Sequence, residues 1–186
     1  MKRRRFLLSF LLGLAALEAA EMKPSSPPPG LAVGTRAPGF TLPSATGESV
    51  ALQDLLAQGP VALAFVRSAD WCPFCRRQLQ DLEKHRGEIA AAGVRLVAIS
   101  YDSVATNAAA VKKLGITYPL LTDAGSKVID AYGIRNPEAK GRAAGVPHPV
   151  LFIIDRSGTI RARLERDSYR DRPEAAEIVA AARALR

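Results

Sequence analysis

Two cysteines separated by two residues, Cys72 and Cys75, place the strongest constraint on the fold of this chain, which contains no other cysteine. The pair follows an apolar run at residues 61–66, which indicates a buried strand, and precedes a helix predicted over residues 75–92. A strand, a short loop, a CxxC pair and a long helix form the context that distinguishes a redox motif from a chance pair of cysteines. We therefore expect both thiols at the start of one helix, close enough to form a disulfide.

The composition indicates one folded domain with extensions. The chain has 186 residues, of which 48% are hydrophobic, which is enough to build a core and excludes wholesale disorder. Two cysteines are too few for a disulfide-stapled scaffold, so they point to a functional pair. The formal net charge of +8 is accompanied by no aromatic and basic cluster and no nucleic-acid motif. We therefore interpret it as a solvated basic surface and expect no nucleic-acid partner.

The start of the chain is typical of an export signal. Basic residues 2–5 precede an apolar stretch at residues 6–17, so residues 1–20 are predicted to be a signal peptide, with a partial twin-arginine motif. The apolar stretch is shorter than the roughly 20 residues that span a bilayer. Residues 21–32 form a Pro- and Ser-rich linker, and residues 33–186 form the folded domain. We expect export to the periplasm or another extracytoplasmic space. The alternative is an uncleaved membrane anchor at residues 6–17.

The order of the predicted elements indicates an α/β fold. Strands alternate with helices, and a hairpin followed by a last helix closes the chain. The extended segments are predicted at residues 40–42, 49–51, 61–67, 94–100, 118–121, 149–154 and 159–165, and the helices at residues 52–58, 75–92, 104–114, 126–132 and 173–185.

Several short motifs are distributed over residues 33–165. They are Gly34-x-x-Ala37-Pro38-x-Phe40-x-Leu42, Gly47 with Val50-x-Leu52, the stretch from Phe65 to Cys75, Val97-Ala98-Ile99-Ser100, Pro119 to Asp123, Tyr132-Gly133-Ile134, and Phe152-Ile153-Ile154-Asp155-x-x-Gly158. With these motifs the chain resembles the thioredoxin superfamily, and more narrowly its redoxin branch, the AhpC/TSA (peroxiredoxin-like) family. The resemblance implies a thioredoxin-like fold, in which α-helices flank a central mixed β-sheet and the active site lies at a helix N-terminus.

The two cysteines are expected to have different roles. Cys72 would lie at the N-terminal end of the helix, where unpaired N–H groups and the helix dipole stabilise a thiolate. Arg76 and Arg77 add positive charge one turn away, so Cys72 is predicted to have the lower pKa and to be the nucleophile. Cys75 is predicted to be more buried and to resolve the mixed disulfide, and Trp71 to flank the site. The alternative is a structural disulfide or two inert thiols.

His148 and Pro149 form the second part of the predicted site. Thioredoxin-like proteins place a cis-proline opposite the CxxC pair, and counting back from the turn at Asp155 puts Pro149 at that position. The resemblance implies that the cis bond exposes the His148 backbone to a substrate chain and brings its imidazole near Cys72. There the ring would favour a thiolate or accept its proton. The alternative is that His148 is an exposed loop residue.

The chain departs from the peroxidases of the family at two positions. Those enzymes carry a Thr three residues before the peroxidatic cysteine and a peroxide-binding Arg, where this chain has Ala69 and Pro149. Arg67 is a candidate substitute that the sequence alone does not place. Thioredoxins also bury an Asp six residues before the first cysteine, where this chain has Val66. We therefore expect the proton for the second thiol to come from water or from Asp70.

These features favour a thiol–disulfide oxidoreductase. Its expected partners are protein disulfides or dithiols and an upstream thiol reductant, and we expect no cofactor and no metal. The spacer Pro73-Phe74 resembles that of glutaredoxins, which predicts a potential less reducing than thioredoxin's value of about −270 mV. One alternative is a thiol peroxidase that acts on hydroperoxides, with Cys72 peroxidatic and Cys75 resolving. The other is a copper(I) carrier that uses both thiolates and His148.

Overall fold

The strands and helices follow the predicted order along the chain. The computed structural model describes residues 29–185, so the predicted signal peptide and residues 21–28 of the linker lie outside the described residues. The strands are β1 (Thr41–Pro43), β2 (Ser49–Ala51), β3 (Val61–Phe65), β4 (Arg95–Ser100), β5 (Leu120–Thr122), β6 (Val150–Ile154) and β7 (Ile160–Glu165). The helices are α1 (Leu52–Gln58), α2 (Pro73–Lys84), α3 (Arg86–Ala91), α4 (Val104–Leu114), α5 (Lys127–Ala131) and α6 (Ala175–Arg183), with a 3-10 turn at Gly141–Ala143. Apart from the helix predicted over residues 75–92, every predicted element is present within two residues of its predicted bounds.

Five strands form the central sheet, in the order β5-β4-β3-β6-β7. The central strand β3 pairs in parallel with β4 on one side and antiparallel with β6 on the other. Strand β5 extends the parallel side, and β7 extends the antiparallel side. Strands β1 and β2 form a separate antiparallel pair. The sheet is therefore mixed, and the carboxyl ends of β3 and β4 meet at the same edge, where open α/β sheets place their ligand sites.

Both faces of the sheet are buried, because its central strands are apolar throughout. In β3, Leu63 and Phe65 face one core cluster while Ala62 and Ala64 face the other, in the alternation that a strand imposes. Helices α2, α3, α4 and α6 pack on the side of the alanines, and α1 and α5 pack on the opposite side. This arrangement confirms the predicted α/β fold with helices on both sides of a mixed sheet.

The helix that follows the CxxC pair differs from the prediction. It begins at Pro73, earlier than expected, because the fixed φ of proline suits a first helical turn and its missing N–H is not needed there. It breaks at His85, whose backbone is non-helical (φ −98°, ψ 8°) and whose Nδ1 lies 2.9 Å from the Asp81 carbonyl oxygen. Gly87, a weak helix former, follows the break. Two helices, α2 and α3, therefore replace the single helix predicted over residues 75–92.

The end of the predicted linker packs onto the domain. Leu31 contacts the core, and Arg163 donates a hydrogen bond to the Pro29 carbonyl at 2.6 Å. Gly30 has a φ of +122°, and a Cβ at this position would lie 2.6 Å from Cγ2 of Ile134. A glycine is therefore required where the chain approaches the domain. These contacts begin at residue 29, ahead of the domain boundary predicted at residue 33.

Candidate active site

The two cysteines lie at the start of α2, the helix that follows β3, at the sheet edge where ligand sites are expected. Cys72 is the N-cap of α2: its backbone is extended (φ −89°, ψ 107°), and its Sγ accepts a hydrogen bond from the Cys75 N–H at 3.4 Å. Both cysteines are free thiols. Cys72 is 1% exposed and Cys75 is 0% exposed. The predicted placement of both thiols at the start of one helix is confirmed.

A buried carboxylate organises the loop before the cysteines. Asp102, which follows β4, accepts hydrogen bonds from Ser68 Oγ at 2.9 Å and from the Ala69 N–H at 2.7 Å. Ser68 Oγ in turn accepts hydrogen bonds from the N–H groups of Asp70 and Trp71, at 3.1 and 3.3 Å. Burial raises the pKa of Asp102. One carboxylate therefore holds the active-site loop through both a direct bond and a bridging hydroxyl.

Trp71 lies between two arginines beside the dithiol. The guanidinium carbons of Arg67 and Arg142 are each 5.1 Å from the centroid of its ring. Its Nε1–H donates to Tyr101 Oη at 3.0 Å, and Tyr101 donates its own hydroxyl hydrogen to the Arg142 carbonyl. Each cation–π contact of this kind contributes about 0.5–1 kcal/mol at an exposed site. The tryptophan thus holds two positive charges next to the cysteines.

A distant part of the chain covers the two sulfurs. Residues 166–174, between β7 and α6, are called the lid segment below. Its Tyr169 packs edge-on against Phe74, with 6.0 Å between ring centroids and an angle of 85° between ring planes. The Arg67 guanidinium carbon lies 4.6 Å from the Tyr169 centroid and 5.1 Å from the Trp71 centroid, so it contacts both rings. These contacts hold the lid segment against the residues that flank the CxxC pair.

Arg172, also in the lid segment, contacts the second thiol directly. Its Nη2 lies 3.4 Å from Cys75 Sγ, and its Nε donates to Gln78 Oε1 at 2.6 Å. Gln78 lies on the buried face of α2, one turn after Cys75. The guanidinium is therefore held in place by the same helix that carries the cysteines.

The two thiols act on each other's ionisation, because they lie side by side at the start of α2. Hydrogen bonding from the Cys72 thiol, the Ser68 N–H and the positive charge of Arg172 lower the pKa of Cys75 to about 6. The hydrogen bond to Cys75 and burial raise the pKa of Cys72. The hydrogen bond between the two thiols has the largest effect on both pKa values, so the lower pKa predicted for Cys72 stays a prediction. Arg76, expected to act on Cys72, instead lines a groove between α2 and α4.

Pro149 lies next to the cysteine loop, because Val150 pairs with Phe65, the last residue of β3. No peptide bond in residues 29–185 is cis, so the predicted cis bond before Pro149 is wrong. The trans form of an X-Pro bond is favoured by about 0.5–1 kcal/mol. The His148 N–H donates to the Ile134 carbonyl at 2.7 Å. That N–H is therefore engaged within the protein.

The His148 side chain is half-buried. Burial lowers its pKa, so the ring is neutral at pH 7. Within residues 29–185, the hydrogen bonds to the two sulfurs come from the cysteines themselves, the Ser68 N–H and Arg172, and none comes from His148. The roles predicted for His148 and Pro149 in positioning a substrate stay predictions.

The peroxide-binding groups of the family have no direct counterpart here. Ala69 stands at the position of the family Thr, is 1% exposed, and gives its N–H to Asp102. Arg67, the candidate substitute, packs against Trp71 and Tyr169, and its Nε is buried without a hydrogen-bond partner among the described residues. The structure thus places the Arg67 cation near Cys72, but position 69 has no hydroxyl in the place of the Thr.

Sequence reasoning missed Asp102 and Arg172. Asp102 follows β4, which is parallel to β3. The rule that places ligand sites at the carboxyl ends of parallel strands could therefore have predicted that Asp102 lies at the same sheet edge as the cysteines. Asp70, the predicted proton source, is exposed. No local signal marks Arg172, because it lies 97 positions from Cys75 in a segment without helix or strand.

Residues 29–185 contain neither a cluster of metal ligands nor a membrane-spanning helix. This region contains no group of three or more His, Cys, Asp or Glu side chains arranged to hold a metal ion. Nor does this part of the chain include a helix of the length and apolar character needed to cross a membrane.

A mixed sheet flanked by helices, with a CxxC pair capping the helix after its central strand, defines a thioredoxin-like thiol oxidoreductase. More narrowly, the chain belongs to the AhpC/TSA family, whose model matches residues 33–163. The resemblance seen in the sequence motifs is thereby confirmed.

Relatives of two kinds share this fold. The chain is 34% identical over 128 residues to the thiol-disulfide oxidoreductase ResA of Halalkalibacterium halodurans, covering 68% of this chain and 65% of that protein. It is 31% identical over 131 residues to MT2597, a candidate peroxiredoxin of Mycobacterium tuberculosis, covering 70% and 82% of the two chains. The crystal structure of the peroxidoxin BcpB from Mycobacterium tuberculosis superposes with a TM-score of 0.73 at 28% identity, over 83% of this chain and 97% of that one. These comparisons identify an oxidoreductase that works through its thiols.

Proposed function

We propose that this protein is an exported thiol–disulfide oxidoreductase that exchanges its Cys72/Cys75 couple with disulfides in partner proteins. The observation that carries the proposal is the placement of both thiols on one helical turn, with the Cys75 N–H bonded to Cys72 Sγ at 3.4 Å. Thiols held this close act as one two-electron couple. The relative ResA is named for this reaction.

The reaction follows the standard course of thiol–disulfide exchange. The Cys72 thiolate attacks one sulfur of a partner disulfide, which forms a mixed disulfide and releases the other partner sulfur as a thiolate. Cys75, as a thiolate, then attacks Cys72 and displaces the partner. Two electrons pass to the partner, and the couple is left as a Cys72–Cys75 disulfide. An upstream thiol reductant would return it to the dithiol form, and the relative potentials of the donor and the partner set the direction.

The surroundings of Cys72 favour disulfides over peroxides as substrates. Ala69 has no hydroxyl to bond a peroxide oxygen, and Pro149 stands where family peroxidases carry their arginine. Preorganised donors of this kind are a large part of the rate that an active site provides. Their loss should leave the dithiol chemistry intact, since thiol–disulfide exchange needs only the two sulfurs.

A thiol peroxidase is the second candidate, favoured by the burial of the site. Cys72 is 1% exposed, so a hydroperoxide enters more easily than a folded protein does. The hydrogen bond to Cys75 and burial raise the pKa of Cys72, and the charge of Arg67, which lies beside the pair, lowers it by a smaller amount. In this reaction Cys72 would become a sulfenic acid, and Cys75 would condense with it, releasing water and forming the disulfide.

The proposal of export rests on the N-terminal sequence. Basic residues 2–5 followed by the apolar residues 6–17 fit a signal peptide. An extracytoplasmic compartment also allows disulfides to persist in the partner proteins. Fractionation of cells that express the full chain tests this proposal. Recovery of the protein with the cytoplasm, with residues 1–20 retained, would contradict it.

The reaction is tested by trapping the mixed disulfide with a partner. In a Cys75→Ser variant the attack by Cys72 can occur but its resolution cannot, so a reduced variant should accumulate a covalent adduct with a protein disulfide. The adduct should be released by dithiothreitol and be visible on non-reducing electrophoresis. The matched Cys72→Ser variant should form little adduct, because Cys75 lies within α2 and contacts Arg172, whereas Cys72 caps the helix N-terminus.

Two outcomes would contradict the proposal. Equal trapping by both single-cysteine variants would mean that Cys72 is not the attacking thiol. No adduct in either variant, together with rapid loss of the Cys72 thiol in peroxide, would support the peroxidase instead.

A further inference from the structure

Three arginine side chains alternate with two aromatic rings beside the dithiol. The guanidinium carbons of Arg142 and Arg67 each lie 5.1 Å from the centroid of the Trp71 ring. Arg67 also lies 4.6 Å from the centroid of the Tyr169 ring, and Arg170 lies 5.7 Å from the same centroid. These five residues are called the arginine stack below. It adjoins the thiol that is predicted to attack, because that cysteine directly follows Trp71 in the chain.

The arginine stack is assembled from three separate segments. Arg67 and Trp71 belong to the loop before the cysteines, Arg142 belongs to the 3-10 turn, and the other two members belong to the lid segment. Tyr101 joins the first two segments, because its hydroxyl accepts the Trp71 Nε1–H and donates to the Arg142 carbonyl. The tertiary fold, and not a local run of basic residues, therefore gathers these charges around the site.

The charges of the arginine stack are not taken up by ion pairs. Among residues 29–185, the arginines that pair with a carboxylate are Arg86, Arg135, Arg161, Arg163 and Arg166, and none of them belongs to the stack. Asp70 and Asp171 lie next to the stack in sequence, but both are exposed and neither forms an ion pair with it. The surface beside the cysteines therefore keeps a net positive charge.

The stacked guanidiniums keep hydrogen-bond donors for an anion. Contact with a ring uses the flat face of a guanidinium, whereas its N–H groups point outward from the edge. Arg142 and Arg170 are exposed, so a ligand can reach their donors from solvent. Carboxylates accept such donors in pairs, and charge-assisted bonds of this kind are about twice as strong as neutral ones. The arginine stack therefore fits a ligand that carries carboxylates.

A protein is the ligand that this surface fits best. Tyr169 is 45% exposed, and Trp, Tyr and Arg are the residue types enriched in the hot spots of protein interfaces. Guanidiniums occupy the Trp71 ring, which is therefore not available to stack on a nucleobase. A membrane bound here would cover the cysteines, whereas a protein bound here brings its own disulfide to them.

We propose that the arginine stack is the surface on which a partner protein docks, through an acidic segment next to the disulfide that Cys72 attacks. This inference rests on the proposed exchange function and names its substrate class. Carboxylates of the segment pair with the guanidiniums of the stack, and Tyr169 supplies an apolar contact. Charges at the rim of an interface act mainly on the rate of association. The stack therefore selects among disulfides that the two thiols alone would not distinguish.

Rates with charged peptides test the selection. Three peptides of equal length carry one disulfide flanked by Glu, by Ser or by Lys, and Trp71 fluorescence in a stopped-flow instrument follows oxidation of the dithiol. At low ionic strength the Glu peptide should react about tenfold faster than the Ser peptide, and the Lys peptide should be the slowest. The ratio of the Glu rate to the Ser rate should fall as salt is added, because salt screens exposed charges.

Two matched double variants separate the arginine stack from the net charge of the protein. Arg142→Gln combined with Arg170→Gln should bring the ratio of the Glu rate to the Ser rate close to one. Arg142→Glu combined with Arg170→Glu should reverse the preference in favour of the Lys peptide. In the control, Arg95→Gln is combined with Arg156→Gln. Both of these residues are exposed and lie at the sheet edge opposite to the cysteines, so the control should keep the wild-type ratio.

Docking is also measured without the reaction. Peptides with Ser in place of both cysteines cannot exchange, and a titration followed by Trp71 emission should show tighter binding of the Glu version. If no peptide disulfide reacts but this binding and its loss in the Arg142→Gln, Arg170→Gln variant remain, the exchange function has failed while the docking surface stands.

Three results would overturn the inference. One is equal rates for the three peptide disulfides at low ionic strength. Another is a control variant that loses the preference as fully as the variant in the arginine stack, since the net charge alone would then explain it. The third is binding to phosphatidylglycerol vesicles that is tighter than binding to the Glu peptide and is lost in the Arg142→Gln, Arg170→Gln variant, which would assign the surface to a membrane.

Discussion

Ser68 donates its hydroxyl hydrogen to Asp102 at 2.9 Å, and this bond joins the ends of two adjacent parallel strands across 34 positions of sequence. Ser68 follows β3 and Asp102 follows β4, whose carboxyl ends meet at the same edge of the sheet. Because Ser68 Oγ also accepts two N–H groups of the loop before the cysteines, the position of Cys72 depends on a carboxylate from the neighbouring strand.

Removal of that carboxylate should weaken the fold and the site together. Asp102→Ala leaves the Ser68 hydroxyl and the Ala69 N–H without their buried acceptor, which should lower the free energy of unfolding by about 1–3 kcal/mol. Urea denaturation measures this change, and disulfide exchange by Cys72 should slow in the same variant. Asp70→Ala is the control, because it removes an exposed carboxylate from the same loop. Equal stabilities of the two variants would contradict the role given to Asp102.

The same residue predicts a dependence of stability on pH. Burial raises the pKa of Asp102 above its ordinary value of 3.8, so the folded state binds this proton more tightly than the unfolded state does. The stabilising contribution of this group is therefore full below its ordinary pKa and is lost as the pH rises through the raised folded value. Urea denaturation from pH 3.8 upward should show that the free energy of unfolding of the wild type declines. The decline should be smaller in Asp102→Asn, which cannot ionise. Parallel curves for the two proteins would refute the prediction.

The contact between Trp71 and Tyr101 should contribute measurably to stability. Tyr101→Phe removes the acceptor of the Trp71 Nε1–H and the donor to the Arg142 carbonyl, and it should lower the free energy of unfolding by about 0.5–1.5 kcal/mol. The emission of Trp71, the only tryptophan, should change as well. Tyr118→Phe serves as the control: it removes a buried bond to the Leu79 carbonyl, so stability should fall without a change in emission.

The charge on the dithiol predicts its reduction potential. Stabilisation of the Cys75 thiolate by Arg172 favours the reduced form, which makes the couple more oxidising than thioredoxin, whose potential is about −270 mV. Equilibration with glutathione buffers of known ratio measures the value. Arg172→Gln should shift it toward more reducing potentials. A wild-type value below that of thioredoxin would contradict this account.

The sequence predicted those parts of the fold that depend on local residue patterns. The apolar run at β3 and the turn at Asp155 are local, so the order of elements and the CxxC placement followed from them. The break at His85 was missed, because the apolar periodicity continues through it to Ile89. Helix propensity alone is a weak guide where a side chain bonds to the preceding turn.

The chemistry of the site was harder to predict, because it depends on contacts between distant segments. Arg172, which is 97 positions from Cys75 and lies in the lid segment, contacts Cys75 Sγ and helps to lower the pKa of this thiol. The predicted cis bond before Pro149 came from the family resemblance, whereas every peptide bond in residues 29–185 is trans. Tertiary contacts of this kind have no signature in a single sequence.

The choice of substrate tests the central claim most directly. Stopped-flow fluorescence of Trp71 reports oxidation of the adjacent dithiol when the reduced protein is mixed with a peptide disulfide or with hydrogen peroxide at equal concentration. Disulfide exchange predicts a faster reaction with the peptide disulfide, and a slow reaction with peroxide that increases linearly with its concentration. A fast and saturable reaction with hydrogen peroxide would contradict this, and would mean that Arg67 binds peroxide in place of the missing groups.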